Sequence, residues 1–285
     1  MNIKINMSDL GHGANRIGVL HGYNNIKLKN KELANKINYV PYTLQEENFK
    51  ETNKKFYNTI YQACLNLYQE HLKAYQNNEF PILLGGDHSL SLASVKATLQ
   101  HYQEDIGLIW IDAHTDINTF DVSNTGHIHG MPVAGLLGIN DDKYNNLGNE
   151  LRIKPENIIY FATRDIDYHE QVLVDKYNIL NLTDMKIKAT SLNERITEAI
   201  NYLKDKVSKI HISLDLDSMN PEDIKGVSTP VAHGLNIDEP LKIIKAFNKE
   251  FDLVALDIVE YNPLEDIDEN TLNYLDNLIK EIEIL

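Results

Sequence analysis

The sequence is short of three things. Its 285 residues include one cysteine, Cys64. That excludes a disulfide framework and a Cys-rich zinc module, and a chain this long buries enough surface to fold without either. Basic residues are scarce beside acidic ones: 27 Lys and Arg against 42 Asp and Glu give a net charge of −15. Such a surface repels phosphate backbones, so no nucleic-acid partner is expected. Long apolar runs are missing as well. Nothing approaches the ~18 residues of a membrane span, so no membrane partner is expected. No apolar segment follows the opening Met-Asn-Ile-Lys-Ile-Asn, which leaves no secretory signal and a cytoplasmic expectation. The chain also shows no internal repeat and no Pro/Gly/Ser-rich linker. With 42% hydrophobic and 24% charged residues, 1–285 reads as a single globular domain.

What recurs is short apolar runs alternating with amphipathic ones. Residues 80–84, 106–111, 158–162, 210–214 and 253–258 are short, apolar and rich in β-branched side chains, as in strands covered on both faces. Residues 52–76 carry Phe56, Ile60, Cys64, Leu67 and Leu72 at helical spacing. Ser191 and Glu194 make a capping box ahead of Ile196, Ala199, Ile200 and Leu203. Asp238 is placed to cap a helix burying Leu241, Ile244 and Phe247, and a last helix runs from about Asn270 with Leu272, Leu275, Leu278 and Ile282 on one face. This alternation predicts the α/β class, a three-layer αβα fold with a mainly parallel central sheet.

Open sheets of this kind place ligands at the carboxyl ends of their strands. Gly85-Gly86-Asp87-His88-Ser89 follows the first of these strands, and alone it reads as a glycine turn with Asp87 capping the next helix. Asp112-Ala113-His114-Thr115-Asp116 follows the second, with Asp112, His114 and Asp116 alternating so as to share one face. Three such groups after a buried run repel or lose hydration unless a cation neutralises them. Asp215-Leu216-Asp217 repeats the pattern after 210–214, and Glu260 follows 253–258. Hard oxygens with two imidazoles and no thiolate suit Mn²⁺ better than structural Zn²⁺. Six candidate ligands are too many for one ion and enough for two with bridging carboxylates, which points to a dinuclear metallohydrolase. The substrate is not legible from this pattern alone. His12, His21, His71, His101, His169, His211 and His233 read as structural or surface residues.

Gly85–Ser89, Asp112–Asp116 and Ser213–Asp217 with Pro221, in this order and separation, resemble the three signatures of the ureohydrolase family, which includes arginases, agmatinases and formimidoylglutamases. The resemblance implies an arginase-type αβα fold and two Mn²⁺ ions, one on His88, Asp112, Asp116 and Asp215, the other on Asp112, His114, Asp215 and Asp217. Asn118, Ser123, Thr125 and the run Gly126–Pro132 resemble the loop with which arginases bind a substrate α-carboxylate. His129 matches their proton-shuttling histidine. Asp167 and Glu170, in a segment that starts at Arg164, match acids that meet the α-amino group, and Thr229 and Glu260 match positions at the guanidinium end. Asp116 would relay a proton to the leaving nitrogen. The implied reaction is hydrolysis of L-arginine to L-ornithine and urea by a metal-bridging hydroxide, in a homo-oligomer, trimer or hexamer. Agmatine or a guanidino acid as substrate is the alternative, and a non-catalytic metal-binding subunit a more distant one.

The chain also departs from the family. His127 stands where arginases usually have Asn, and Phe120 and Asp121 differ from the usual loop residues. Gly13-Ala14-Asn15-Arg16-Ile17-Gly18-Val19 resembles the family's N-terminal loop, but His21-Gly22-Tyr23 and Lys27 replace the Gly-Pro and Arg that usually follow it.

Overall fold

The computed structural model describes residues 2–14, 16–48, 50, 52–103 and 105–285; Met1, and Asn15 of the N-terminal loop, lie outside them. Among the described residues there are eight strands: β1 (Ile3–Met7), β2 (Ile37–Tyr39), β3 (Phe80–Leu84), β4 (Ile106–Ile111), β5 (Ile158–Phe161), β6 (Leu180–Leu182), β7 (Lys209–Asp215) and β8 (Asp252–Val259). They form one sheet in the order β2-β1-β3-β8-β7-β4-β5-β6, parallel throughout. The expected three-layer α/β class is therefore what the chain adopts.

Strand periodicity builds the layers. Ile109 and Ile111 of β4 join one core, whereas Ile106, Leu108 and Trp110 join the other. Successive side chains point to opposite faces, so each central strand feeds two cores at once. One core is closed by the helices Leu192–Leu203, Glu239–Glu250 and Asn270–Glu283, through Ile196, Phe247 and Leu275 among others. The other is closed by Tyr57–Gln76 and Ser91–Tyr102, through Ile60, Leu67 and Val95. No helix among the described residues is long and apolar enough to cross a membrane.

The five expected strands are present, and three more join them. Strand β1 escapes its apolar pattern because Lys4 and Asn6 interrupt it, yet Asn6 is fully buried, accepting from Asn38 and bonding His71. Strands β2 and β6 are three-residue edges, too short for any period to show. The helix expected over 52–76 starts at Tyr57, behind Phe56 in a left-handed conformation (φ 54°). Residues 53–55 instead brace the loop that follows β4: the Asn53 amide donates to the Phe120 carbonyl and the Lys55 N–H to that of Gly126. Ser191 caps its helix by accepting from Glu194 N–H, and among the described residues only this half of the expected box is formed. Asp238 sits at its helix start, but its carboxylate pairs with Lys242, one turn on, instead of capping. His211 is a satisfied core histidine held by Asp257 and Thr98.

The four strands whose ends carry the candidate ligands, β3, β8, β7 and β4, are contiguous at the centre of the sheet. Register aligns their ends: Ile111 pairs with Leu214, Asp215 with Val259, and Leu84 with Ile258. Side chains just beyond these residues meet one another.

Phe247 tests how far the distal layer supports this platform. It is fully buried and meets Phe161 of β5 edge-on and Phe251 in a stack. Phe247→Ala is expected to lower unfolding free energy by about 3–5 kcal/mol, read as a lower urea midpoint with an unchanged slope. An unchanged midpoint would contradict this packing account.

Candidate metal centre

The chain turns sharply after β3. Gly86 takes a φ of +84°, and a Cβ there would lie 2.7 Å from the Ser8 carbonyl, so only glycine fits. Asp87 is fully buried and accepts from the Gly13 and Ser89 N–H groups, which fixes the turn that presents His88. His88 Nδ1 faces three carboxylate oxygens: Asp112 Oδ2 at 3.0 Å, Asp116 Oδ2 at 3.0 Å and Asp215 Oδ2 at 3.1 Å. Its Nε2 lies 2.9 Å from Ser213 Oγ, and Trp110 stacks on its ring at 4.0 Å.

A second group lies alongside. His114 Nδ1 is 3.3 Å from Asp112 Oδ1 and 3.2 Å from Asp217 Oδ2. Asp112 thus offers one oxygen to each histidine, and Trp110 Nε1–H donates to the oxygen on the His88 side. Asp215 Oδ2 joins the first group while its Oδ1 accepts from Asp217 N–H. The structure therefore gathers all six expected residues, and shows the shared position at Asp112 but not at Asp215.

The residues converge by turns and not by extended alternation. Asp116 has a left-handed backbone (φ 49°), and Asp217 lies in a one-turn 3₁₀ helix, Leu216–Ser218, capped by the Asp215 side chain. A non-glycine residue held at positive φ is strained and persists where its surroundings over-determine it. Glu260 (φ 67°) is held the same way, its N–H donating to the Gly86 carbonyl.

This set fits a divalent cation. Burial and the neighbouring Asp112 push the Asp116 carboxyl up to about 6, and burial with Asp217 and Asp112 pushes Asp215 well above its ordinary range. Burial acts against the charged forms of His88 and His114, but the surrounding carboxylates outweigh it and raise both. His88 Nδ1 makes no well-formed hydrogen bond among the described residues although it is fully buried. Oxygen and imidazole donors around two adjacent foci are what a pair of hard or borderline cations takes. Either triad, His88-Asp112-Asp116 or Asp112-His114-Asp217, brings its donor atoms close enough to hold an ion.

Around the cluster, Glu260 is fully buried. Its Oε1 accepts from His88 N–H at 2.9 Å and lies 3.1 Å from His129 Nδ1, whereas Oε2 has no hydrogen-bond partner among the described residues. Burial acts to lower His129, but its contact with Glu260 and the nearby Asp116 and Asp87 raise it to about 9. Its side chain is 19% exposed and so connects the cluster with solvent. Thr229 donates to Asp217 Oδ2 at 2.8 Å. Asn118 donates to Asp167 Oδ2 at 2.8 Å, Ser123 Oγ accepts from Gly126 N–H, and Thr125 Oγ1 from His127 N–H. Asp167 and Glu170 form a capping box, and Glu170 Oε1 also accepts from Thr115 Oγ1 at 3.0 Å. Both oxygens of Glu170 are thus engaged within the fold, and burial pushes this carboxyl up to about 7.

The departures in the loop find their places. Phe120 packs edge-on against Tyr57 and Tyr144 and is 6% exposed, so its bulk fills the core. His127 lies beside His129, ring centres 6.2 Å apart. Trp110 and Ser213, which orient Asp112 and His88, escape the sequence reading because each looks like an ordinary strand residue.

With this geometry in hand, comparison with known proteins is specific. The family model described as "Arginase family" matches residues 7–283. An arginase of Staphylococcus aureus (strain MRSA252) is 37% identical over 206 residues, 72% of this chain and 68% of the relative. The Bacillus subtilis (strain 168) arginase is 35% identical over 201 residues, 70% of this chain and 67% of the relative. The crystal structure of an Entamoeba histolytica arginase in complex with L-ornithine superposes with a TM-score of 0.89, at 26% identity and full coverage of both chains.

One consequence concerns protons. Below about 6 the Asp116 carboxyl carries a proton that a cation must displace. Divalent-cation affinity is therefore expected to fall as the pH drops through about 6, below the range in which the raised His88 and His114 already exchange protons for metal. Calorimetric titration with Mn²⁺ on either side of the value checks this, and an affinity insensitive to pH would contradict it.

Proposed function

This chain belongs to the arginase family, whose members are hydrolases of the ureohydrolase type, and from that premise we propose that it uses two Mn²⁺ ions to hydrolyse L-arginine to L-ornithine and urea. The support is one observation above all: a cluster of four buried carboxylates, the buried His88 and the half-buried His114 divides around Asp112, beside a loop of neutral donors. His88, Asp112, Asp116 and Asp215 would hold one ion, and Asp112, His114, Asp215 and Asp217 the other. When bound, the ions would supply Lewis acidity and would lower the pKa of a water enough to make it a nucleophile near neutral pH.

The chain's own residues do the rest. Glu260 takes the guanidinium: its partnerless Oε2 accepts charge-assisted hydrogen bonds and fixes the carbon for attack. The Thr229 hydroxyl donates its hydrogen bond to Asp217, so its oxygen is left to accept from another guanidinium N–H. At the other end of the substrate, the Asn118 amide and the hydroxyl protons of Ser123 and Thr125 meet the α-carboxylate. Neutral donors satisfy that charge without overcompensating it. Asp167, braced by Glu170, meets the α-amino group. Asp116 faces His88 with Oδ2, which leaves Oδ1 to carry a proton to the departing nitrogen. His129, between Glu260 and solvent, exchanges protons with the bulk. On the same reading residues 1–285 are one domain, and the protein is a cytoplasmic homo-oligomer, trimer or hexamer.

A substrate panel tests this directly. After Mn²⁺ loading, urea release is expected from L-arginine and not from agmatine or 4-guanidinobutyrate. Release from either of the others in place of arginine would refute the assignment of Asn118, Ser123 and Thr125. Among variants, Asp217→Ala is expected to lose metal and nearly all activity. His129→Asn keeps its metal and loses about 10²-fold in kcat, within the range of a general acid–base group. Full activity in His129→Asn would remove that residue from the mechanism.

A further inference from the structure

Arg164 lies close behind the cluster, on the Asp217 carbonyl, and nothing in the proposed chemistry uses it. It follows β5, next to β4 in the sheet. Among the described residues its guanidinium makes no ion pair. It donates instead to six backbone carbonyls: Nε to Ala232 at 3.0 Å, Nη1 to Ala162 and Ser218 at 3.1 Å each, and Nη2 to Asp217 at 2.7 Å, Val231 at 3.0 Å and Met219 at 3.3 Å. Three segments are tied by one side chain. Two of them matter to the site. Asp217–Met219 carries the candidate ligand that belongs to the His114 group alone, and Val231–Ala232 closes the loop that carries Thr229.

The backbone of the same residue reaches the other ligand segment. The N–H groups of Arg164 and Asp165 both donate to the carbonyl of Ala113, the residue between Asp112 and His114, at 2.8 and 3.0 Å. Arg164 therefore spans the two halves of the second position, Asp112-His114 through its backbone and Asp217 through its guanidinium. No comparable tie from Arg164 reaches His88 or Asp116.

We propose that Arg164 is a positioning residue that sets the Asp217 side of the second metal position, so that its guanidinium governs the affinity of one ion and not the other. This rests on the dinuclear reading above. The reason is donor geometry. A guanidinium presents five N–H groups in a rigid planar fork, whereas a lysine ammonium is a point with three. Lysine at this position would keep the charge and leave several carbonyls without a donor. Half-buried carbonyls without partners drive their segment to rearrange, and here the segment is Asp217–Met219. Gly234 is shaped around the same group. It has φ +108°, and a Cβ there would lie 2.6 Å from the Ser218 carbonyl oxygen and 2.8 Å from Arg164 Nη2. Gly234→Ala thus presses on the guanidinium and on one of its acceptors at once.

The test is Mn²⁺ binding to the full chain, followed by the electron paramagnetic resonance signal of free Mn²⁺, in the wild type, Arg164→Lys and Gly234→Ala. The wild type is expected to bind two ions. In both variants one ion should keep its affinity within about twofold, and the other should weaken on the order of 10–100-fold, the usual effect of removing a group that orients a ligand. A merely structural role would lower the thermal midpoint of the metal-free protein without separating the two affinities. If Arg164→Lys fails to fold, Arg164→Gln, which keeps two side-chain N–H donors, takes its place. Two ions bound as tightly in the variants as in the wild type, or both weakened equally, overturns the role of Arg164. Fewer than two ions in the wild type overturns the dinuclear reading itself, and the proposal with it.

Discussion

Four carboxylates lie buried within a few ångströms of one another at the carboxyl end of this sheet. Two full charges 4 Å apart repel by about 4 kcal/mol at an effective dielectric of 20, and four such groups repel in every pairing. Their arrangement is tolerable only with positive charge among them. His88 and His114 supply part of it, and both are driven toward the charged form by the acids they face. Two divalent ions would displace those protons and supply the positive charge in their place. The cluster is thus poised to exchange protons for metal.

The remainder of the fold keeps the acids together despite that repulsion. Central, fully buried strands give the ends a fixed register, with Asp215 beside Val259 and Leu214 beside Ile111. Left-handed backbone at Asp116 and Glu260 aims two of the acids where a regular strand would not. Trp110 and Ser213 lock Asp112 and His88 from behind, and the Glu260 carboxylate ties the His88 backbone to His129. Strain at the site is carried by a platform of two hydrophobic cores, which suits candidate ligands on strand ends and candidate substrate contacts on loops.

The candidate ligand residues stand out in the sequence because acids and imidazoles after buried apolar runs demand a partner, wherever their φ and ψ fall. The means of convergence was not legible, since period-two alternation puts Asp112, His114 and Asp116 on one face, whereas a turn and a left-handed residue bring them together. Strand β1 was hidden by Asn6, whose partners Asn38 and His71 are remote in sequence. Residues 52–56 carry helical spacing yet form turns braced against the loop after β4, a contact no local pattern encodes. Arg164 shows the limit most sharply. All six of its acceptors are backbone carbonyls, which every residue has, so its partners leave no mark in the sequence.

The central claim is that this acidic cluster holds a pair of ions divided by Asp112. Anomalous diffraction at the manganese edge from Mn²⁺-loaded crystals tests it most directly. The account predicts two peaks about 3.5–4 Å apart, one between His88 and Asp116 and one between His114 and Asp217, with Asp112 reaching both. A single peak, or a pair in which Asp112 meets only one ion, would contradict it.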